Sequence, residues 1–134
     1  RQSVPTYRQS STDATLPPAV AKAVAIFNAN LSDPVSVAEV ASAVGVSTRQ
    51  IERSFKKETG QSPSHYYRSM RMNAARQLVM YSKDTMAQIA LQVGYGSTTS
   101  MAQHYKNAFG LSPQEDRQRI NLYRVQDNIP IPSI

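Results

Sequence analysis

Two short segments hold side chains whose types and spacing suit contact with a polyanion. In the first, Arg49, Gln50, Glu52, Arg53, Lys56 and Lys57 crowd around Ile51 and Phe55. At the 3.6-residue helical period Ile51 and Phe55 share one face and the polar set takes the other. An arginine can hold guanine O6 and N7 together, a carboxylate such as Glu52 can accept from cytosine N4, and lysine pairs with phosphates. In the second segment, Ser97, Thr98, Thr99, Ala102, Gln103, His104 and Lys106 surround Met101 and Tyr105. Gln103 offers an adenine contact, and the threonine methyls suit thymine. On a lone helix the same side chains describe a solvated face, so their meaning rests on the elements that position them.

Those elements repeat. SVAEVASAVGV (Ser36 to Val46) aligns with TMAQIALQVGY (Thr85 to Tyr95) at an offset of 49. Each copy opens with the pattern of a capping box, Ser36 with Glu39 and Thr85 with Gln88, which satisfies orphan N–H groups at a helix start. Each closes on a glycine, Gly45 or Gly94, able to take the left-handed conformation that ends a helix. The extra Gly96 shifts the offset to 50, after which Ser47 meets Ser97, Phe55 meets Tyr105, Gly60 meets Gly110, and Ser62-Pro63 meets Ser112-Pro113. A helix-turn-helix needs a small residue at the crossing, a glycine in the turn and apolar residues that lock the second helix. Ala41, Gly45, Val40, Val44, Val46, Ile51 and Phe55 supply them once; Ala90, Gly94, Ile89, Val93, Tyr95, Met101 and Tyr105 supply them again.

Around the copies the chain reads as helix throughout, with no alternating strand-type run. A short helix is expected from Pro17-Pro18 through Val20, Val24, Phe27 and Leu31, stopped by Asp33-Pro34. Ser62 and Pro63 open a long connecting helix with a buried stripe of Tyr66, Met70, Ala74, Leu78 and Tyr81 and an arginine face of Arg68, Arg71 and Arg76. Ser112, Pro113 and Glu115 start a last helix to about Leu122, with Glu115 and Asp116 as favourable charge near its start. The expected fold is all-α, with about seven helices and two helix-turn-helix units joined by the connecting helix. The expected organisation is a linker or disordered N-terminus over 1–16 and a tandem domain over 17–122, followed by an irregular tail over 123–134. Within the domain, unit one is 17–61, the connecting helix 62–82 and unit two 84–122.

Composition narrows the partner and the chemistry. A chain of 134 residues, 40% apolar and 18% charged, suits one ordinary domain or two very small ones. Its net charge of +6 fits nucleic acid or an anionic surface. Residues 47–83 hold eight basic and two acidic side chains, and the rest of the chain sums to zero. Unit one is therefore expected to supply most of the electrostatic affinity. The absence of cysteine excludes disulfide scaffolds, thiolate zinc sites and cysteine nucleophiles. His65 and His104 have no partner at ligand spacing, so surface or phosphate-contact roles outweigh a metal, and neither metal nor cofactor is expected. No nucleophile elbow, phosphate-cradling loop or paired carboxylates support an enzyme. No apolar run reaches the ~18 residues of a membrane span and the first residues lack a signal core, so a cytoplasmic location without membrane contact is expected. The chain begins at Arg1 without methionine, and a longer parent protein is expected.

VGVSTRQIERSFKKETGQSPSHYYRSMRMNAARQLV, followed by IALQVGYGS and FGLSP, resembles the DNA-binding domain of AraC/XylS-type transcriptional regulators, from about Leu16 to Arg119. The resemblance rests on the first recognition helix joined to G-x-S-P, the R-x-x-x-A-R-x-L of Arg71, Ala75, Arg76 and Leu78, and the second I-A-x-x-V-G-Y. It implies two recognition helices in successive major grooves of double-stranded DNA, with Arg49, Glu52 and Arg53 reading bases from the first and Thr98, Thr99 and Gln103 from the second. Groove faces recur about 34 Å apart, and a connecting helix of roughly 18 residues gives about 27 Å to set that spacing. The second unit departs from the family pattern at Met101 and Gln103, where an aromatic and an arginine are usual, and at Asp116 before Arg117, where a tyrosine is usual. The first half looks most like the branch with a glutamine-amidotransferase-like N-terminal domain. In such regulators that upstream domain binds an effector and dimerises the protein, while the DNA-binding part contacts RNA polymerase, often as an activator. The alternative from another class is a helical protein-interaction adaptor, which predicts salt-tolerant binding and no DNA preference.

Overall fold

The structure, a computed structural model, describes residues 16–127. Among the described residues there are seven helices and no strand: α1 (Pro18–Ala29), α2 (Val37–Val44), α3 (Thr48–Thr59), α4 (Pro63–Tyr81), α5 (Met86–Gln92), α6 (Thr98–Phe109) and α7 (Pro113–Asp127). The expected all-α fold is found. The linker expected over 1–16 lies, Leu16 apart, outside the described residues. The chain divides into two compact units: residues up to Asn30 with Val35–Tyr67, and Leu31–Pro34 with Arg68 onward. The connecting helix α4 is therefore shared, its first turn belonging to the first unit and the rest to the second.

In the first unit, α1 starts at Pro18, where a missing N–H costs nothing. It stops at Ala29, short of the expected Asp33-Pro34 barrier. The Asn30 side chain donates to Ile26 O at 2.8 Å and its backbone N–H to Phe27 O at 3.1 Å, ending the helix with local bonds. Leu31 thus lies beyond it. Val20, Ala23 and Phe27 turn inward to meet Val40, Ala41, Ile51 and Phe55 from α2 and α3. The Phe27 ring stacks on Tyr67 at 4.2 Å between centroids and tilts against Phe55 at 5.9 Å. The Tyr67 hydroxyl donates to Asn30 O and accepts the Val35 N–H at 3.2 Å, so loop backbone finds partners inside the unit.

In the second unit Met72, Ala75 and Val79 of α4 pack with Ile89, Ala90, Val93, Tyr95, Met101 and Tyr105. This corrects the expected stripe: Tyr66, Met70, Ala74, Leu78 and Tyr81 are only half-buried, while Tyr67, Met72, Ala75 and Val79 are buried. The step of five from Tyr67 to Met72 falls where α4 passes from one unit to the other, and each part turns its own face inward. A single helical period cannot describe both.

The expected arginine face is also revised. Arg68 is exposed, but Arg71 and Arg76 are half-buried. The Arg76 guanidinium lies 4.8 Å from the Phe109 ring centroid, and its Nε is 3.5 Å from Asp116 Oδ2. Asp116 is buried instead of lying as surface charge at a helix start. It accepts the Tyr105 hydroxyl at 2.6 Å and pairs with Arg119 at 3.0 Å.

The last helix also runs further than expected. It continues past Leu122 to Asp127, so residues 123–127 are helical and not irregular tail. Pro130 and Pro132, the residues that bar a helix, come later, and 128–134 lie outside the described residues. Near its start, Arg117 donates to the carbonyls of Leu78 at 3.1 Å, Val79 at 3.2 Å, Ser82 at 3.2 Å and Asp84 at 2.5 Å. One planar guanidinium gathers four carbonyls at and just beyond the end of α4, sharing Leu78 O with the Ser82 N–H and hydroxyl.

Candidate nucleic-acid interface

Each unit builds its second helix in the same way. Capping boxes open α2 and α5: Ser36 N–H reaches Glu39 Oε1 at 2.9 Å and Glu39 N–H returns to Ser36 Oγ at 3.1 Å, while Thr85 and Gln88 do the same at 2.8 and 3.1 Å. Gly45 caps α2 at φ 89°, and Gly94 follows the α5 cap residue Val93 at φ 84°. These are left-handed conformations that a side chain disfavours. The turn then delivers the chain to Ser47 or Ser97, the N-caps of α3 and α6.

On α3, Ile51 and Phe55 are buried, and Arg49, Gln50, Glu52, Arg53, Lys56 and Lys57 are all exposed. The helix holds two of these to itself. Gln50 Oε1 accepts the Ser47 N–H at 2.9 Å while Ser47 Oγ accepts the Gln50 N–H at 3.1 Å, a third capping box. Lys56 Nζ donates to Gly60 O at 3.2 Å, neutralising the carbonyl end of the helix. Arg49, Glu52, Arg53 and Lys57 make no hydrogen bond or ion pair among the described residues. The spelling Ser47-x-x-Gln50 was the available signal for the box.

On α6, Met101 and Tyr105 are buried and Ser97, Thr98, Thr99, Gln103 and Lys106 are exposed. Ser97 is committed locally: its Oγ accepts the Ser100 N–H at 3.2 Å and meets Ser100 Oγ at 3.0 Å. Serine at 100 is too short to reach back as Gln50 does, so this helix start has a cap without a box. Thr98, Thr99 and Ala102 border an open groove of about 340 Å³ with Met86, Pro113 and Gln114. His104 leaves the outward set, being half-buried with Nδ1 2.6 Å from the Tyr95 hydroxyl. Burial, then Arg68 and Arg71, hold its imidazolium below the ordinary histidine range.

Two pairs, α2 with α3 and α5 with α6, each turning on a left-handed glycine and each exposing a polar second helix, define a tandem helix-turn-helix protein. Residues 40–119 match the helix-turn-helix domain family. The transcriptional regulator ArgR of Pseudomonas aeruginosa is 39% identical over 102 residues, 76% of this chain and 31% of that protein. The multiple antibiotic resistance protein MarA of Salmonella typhimurium is 33% identical over 88 residues, 66% of this chain and 69% of that protein. Among solved structures, an AraC-type DNA-binding domain protein from Chromobacterium violaceum superposes with a TM-score of 0.73 at 39% identity, covering 77% of this chain and 92% of that one. The chain belongs to the helix-turn-helix family of AraC-type DNA-binding domains of transcriptional regulators. It spans about a third of the length of ArgR. No helix among the described residues is long and apolar enough to cross a membrane.

Proposed function

We propose that the chain binds double-stranded DNA sequence-specifically for a transcription regulator, with α3 and α6 entering successive major grooves. The observation that carries this reading is α3 itself. It is a firmly capped helix, locked inward by Ile51 and Phe55, whose exposed Arg49, Glu52, Arg53 and Lys57 have no partner among the described residues. Arg49, Glu52 and Arg53 read bases, Lys56 and Lys57 hold phosphate, and Gln50 contributes through the amide nitrogen that its capping bond leaves open. From α6, Thr98, Thr99 and Gln103 read bases, with Ser97 and Lys106 at the backbone. Unit one supplies most of the electrostatic affinity, because α3 exposes Arg49, Arg53, Lys56 and Lys57 where α6 exposes Lys106 as its one cation.

The finer reading follows the resemblance: a cytoplasmic regulator in which an upstream glutamine-amidotransferase-like domain binds an effector and dimerises the protein, and the DNA-binding part contacts RNA polymerase as an activator. The matched segment is 31% of ArgR, which leaves room in that relative for a further domain. The test of the DNA reading is selection of bound duplexes from a randomised pool at low and moderate salt. Two enriched blocks about one helical turn apart are expected. One block alone would leave α6 as a brace, and no enrichment at either salt would point to a protein-binding adaptor.

A further inference from the structure

The Tyr95–His104 pair in the second unit has a directionality that neither residue has alone. Tyr95 sits in the turn before α6, buried, with its ring edge-on to the His104 ring at 5.3 Å between centroids. Its hydroxyl and His104 Nδ1 share one proton across 2.6 Å. The Arg71 guanidinium lies 5.9 Å from the Tyr95 ring centroid; burial pushes the Tyr95 phenol above its ordinary range, and Arg71 and Arg68 offset that only in part, so the hydroxyl keeps its proton. A guanidinium only donates, so the phenol oxygen turns its lone pairs toward the arginines and its proton toward Nδ1. Nδ1 is then an acceptor, and in the neutral ring the proton resides on Nε2. The same two cations oppose protonation of the ring. That orientation would leave His104 on α6 as a neutral Nε2–H donor, and Nε2 has no hydrogen-bond partner among the described residues.

We infer that His104, held in this tautomer by Tyr95 and Arg71, donates from Nε2 to a DNA phosphate oxygen, with Arg68 pairing the same stretch of backbone. This rests on the DNA-binding reading above and adds to it a backbone contact from α6, a helix with Lys106 as its single cation, oriented by a hydrogen bond and not by charge on α6. A phosphate is the acceptor that two neighbouring arginines favour over a neutral base edge. Tyr95 and Arg71 are positioning residues, and the test must separate orientation from mere packing.

His104→Asn does so, because its side-chain oxygen can still accept from Tyr95 while the distal donor is gone. Binding of the 134-residue chain to a duplex enriched from the randomised pool is measured by fluorescence anisotropy, using duplexes in which each phosphate in turn is replaced by methylphosphonate. Nitrogen-15 NMR of the free chain reads the tautomer. The expected results are an Nε2–H ring above its pKa, about tenfold weaker binding by His104→Asn at unchanged melting temperature, and one phosphate whose neutralisation weakens the wild type but not the variant. Tyr95→Phe, which keeps the ring, abolishes the tautomer preference and weakens binding in the same direction, and it carries the test should His104→Asn fail to fold. An Nδ1–H ring, or variants that bind as tightly as the wild type and stay equally sensitive at every phosphate, overturns the inference while leaving the DNA reading intact. Failure of the wild type to bind any duplex removes both.

Discussion

The Tyr105 hydroxyl donates to Asp116 at 2.6 Å, tying the second half of α6 to the start of α7 from inside the core. Burial and the adjoining carboxylate push the phenol well above its ordinary range, so the proton stays on the oxygen and the carboxylate stays the acceptor. Asp116→Ala leaves a buried hydroxyl unpaired and should cost about 2–3 kcal/mol, whereas Tyr105→Phe, which leaves Asp116 its two arginines, should cost about 1 kcal/mol. Urea midpoints of the two variants check the order.

The two turn glycines should differ in tolerance although they align in the repeat. A Cβ on Gly45 would meet nothing within 4 Å, while one on Gly94 would meet Leu31 O at 2.4 Å and Pro34 Cγ at 2.6 Å. Gly45→Ala therefore carries only the left-handed backbone penalty, about 1–2 kcal/mol. Gly94→Ala adds a backbone clash and should unfold the second unit first, which residue-level hydrogen exchange would show as lost protection over α5 and α6.

Arg53 and Gln103 occupy comparable exposed places on α3 and α6, but only one is charged. Arg53→Ala should weaken DNA binding more than Gln103→Ala at the same salt and lower the slope of log K against log salt by about 1. Gln103→Ala should leave the slope alone. A larger loss from Gln103→Ala would reverse the assignment of the main electrostatic contact to unit one.

Acid should loosen two helix starts. The Ser36 and Ser112 N–H groups hold the carboxyls of Glu39 and Glu115 below the ordinary glutamate range. A carboxyl depressed in the folded state stabilises it above the unfolded pKa of about 4.3 and loses that contribution as pH falls through the folded value. The double variant Glu39→Gln, Glu115→Gln should therefore show a flatter decline of melting temperature below about pH 4.3 than the wild type.

Much of this was legible in the chain. The repeat gave both helix-turn-helix pairs because capping serines and threonines, crossing alanines and turn glycines act locally, and local chemistry is written in short spacings. The candidate readers were legible for the same reason: Ile51 and Phe55, or Met101 and Tyr105, fix which face turns outward. What escaped depended on distant partners. Asp116 looks like surface charge until Tyr105 and Arg76 are brought to it, and His104 looks like a free imidazole until Tyr95 arrives. The buried line of α4 escapes a single helical period because the helix serves two cores. The end of α7 lies beyond the expected one because a proline forbids helix at its own position and leaves the residues well before it free.

The guanidinium of Arg117 imposes a schedule on the newborn chain. Its four carbonyl partners lie 33 to 39 residues earlier in the sequence. At ordinary rates of translation the end of α4 is synthesised about 2–8 s before the side chain that closes it. During that interval the first unit already has every residue it needs, whereas the second has the donor for its own keystone still to come. The two halves of one repeat therefore have their residues complete at different times, and a ribosome that stalls between them leaves a full first unit attached to an open helix end.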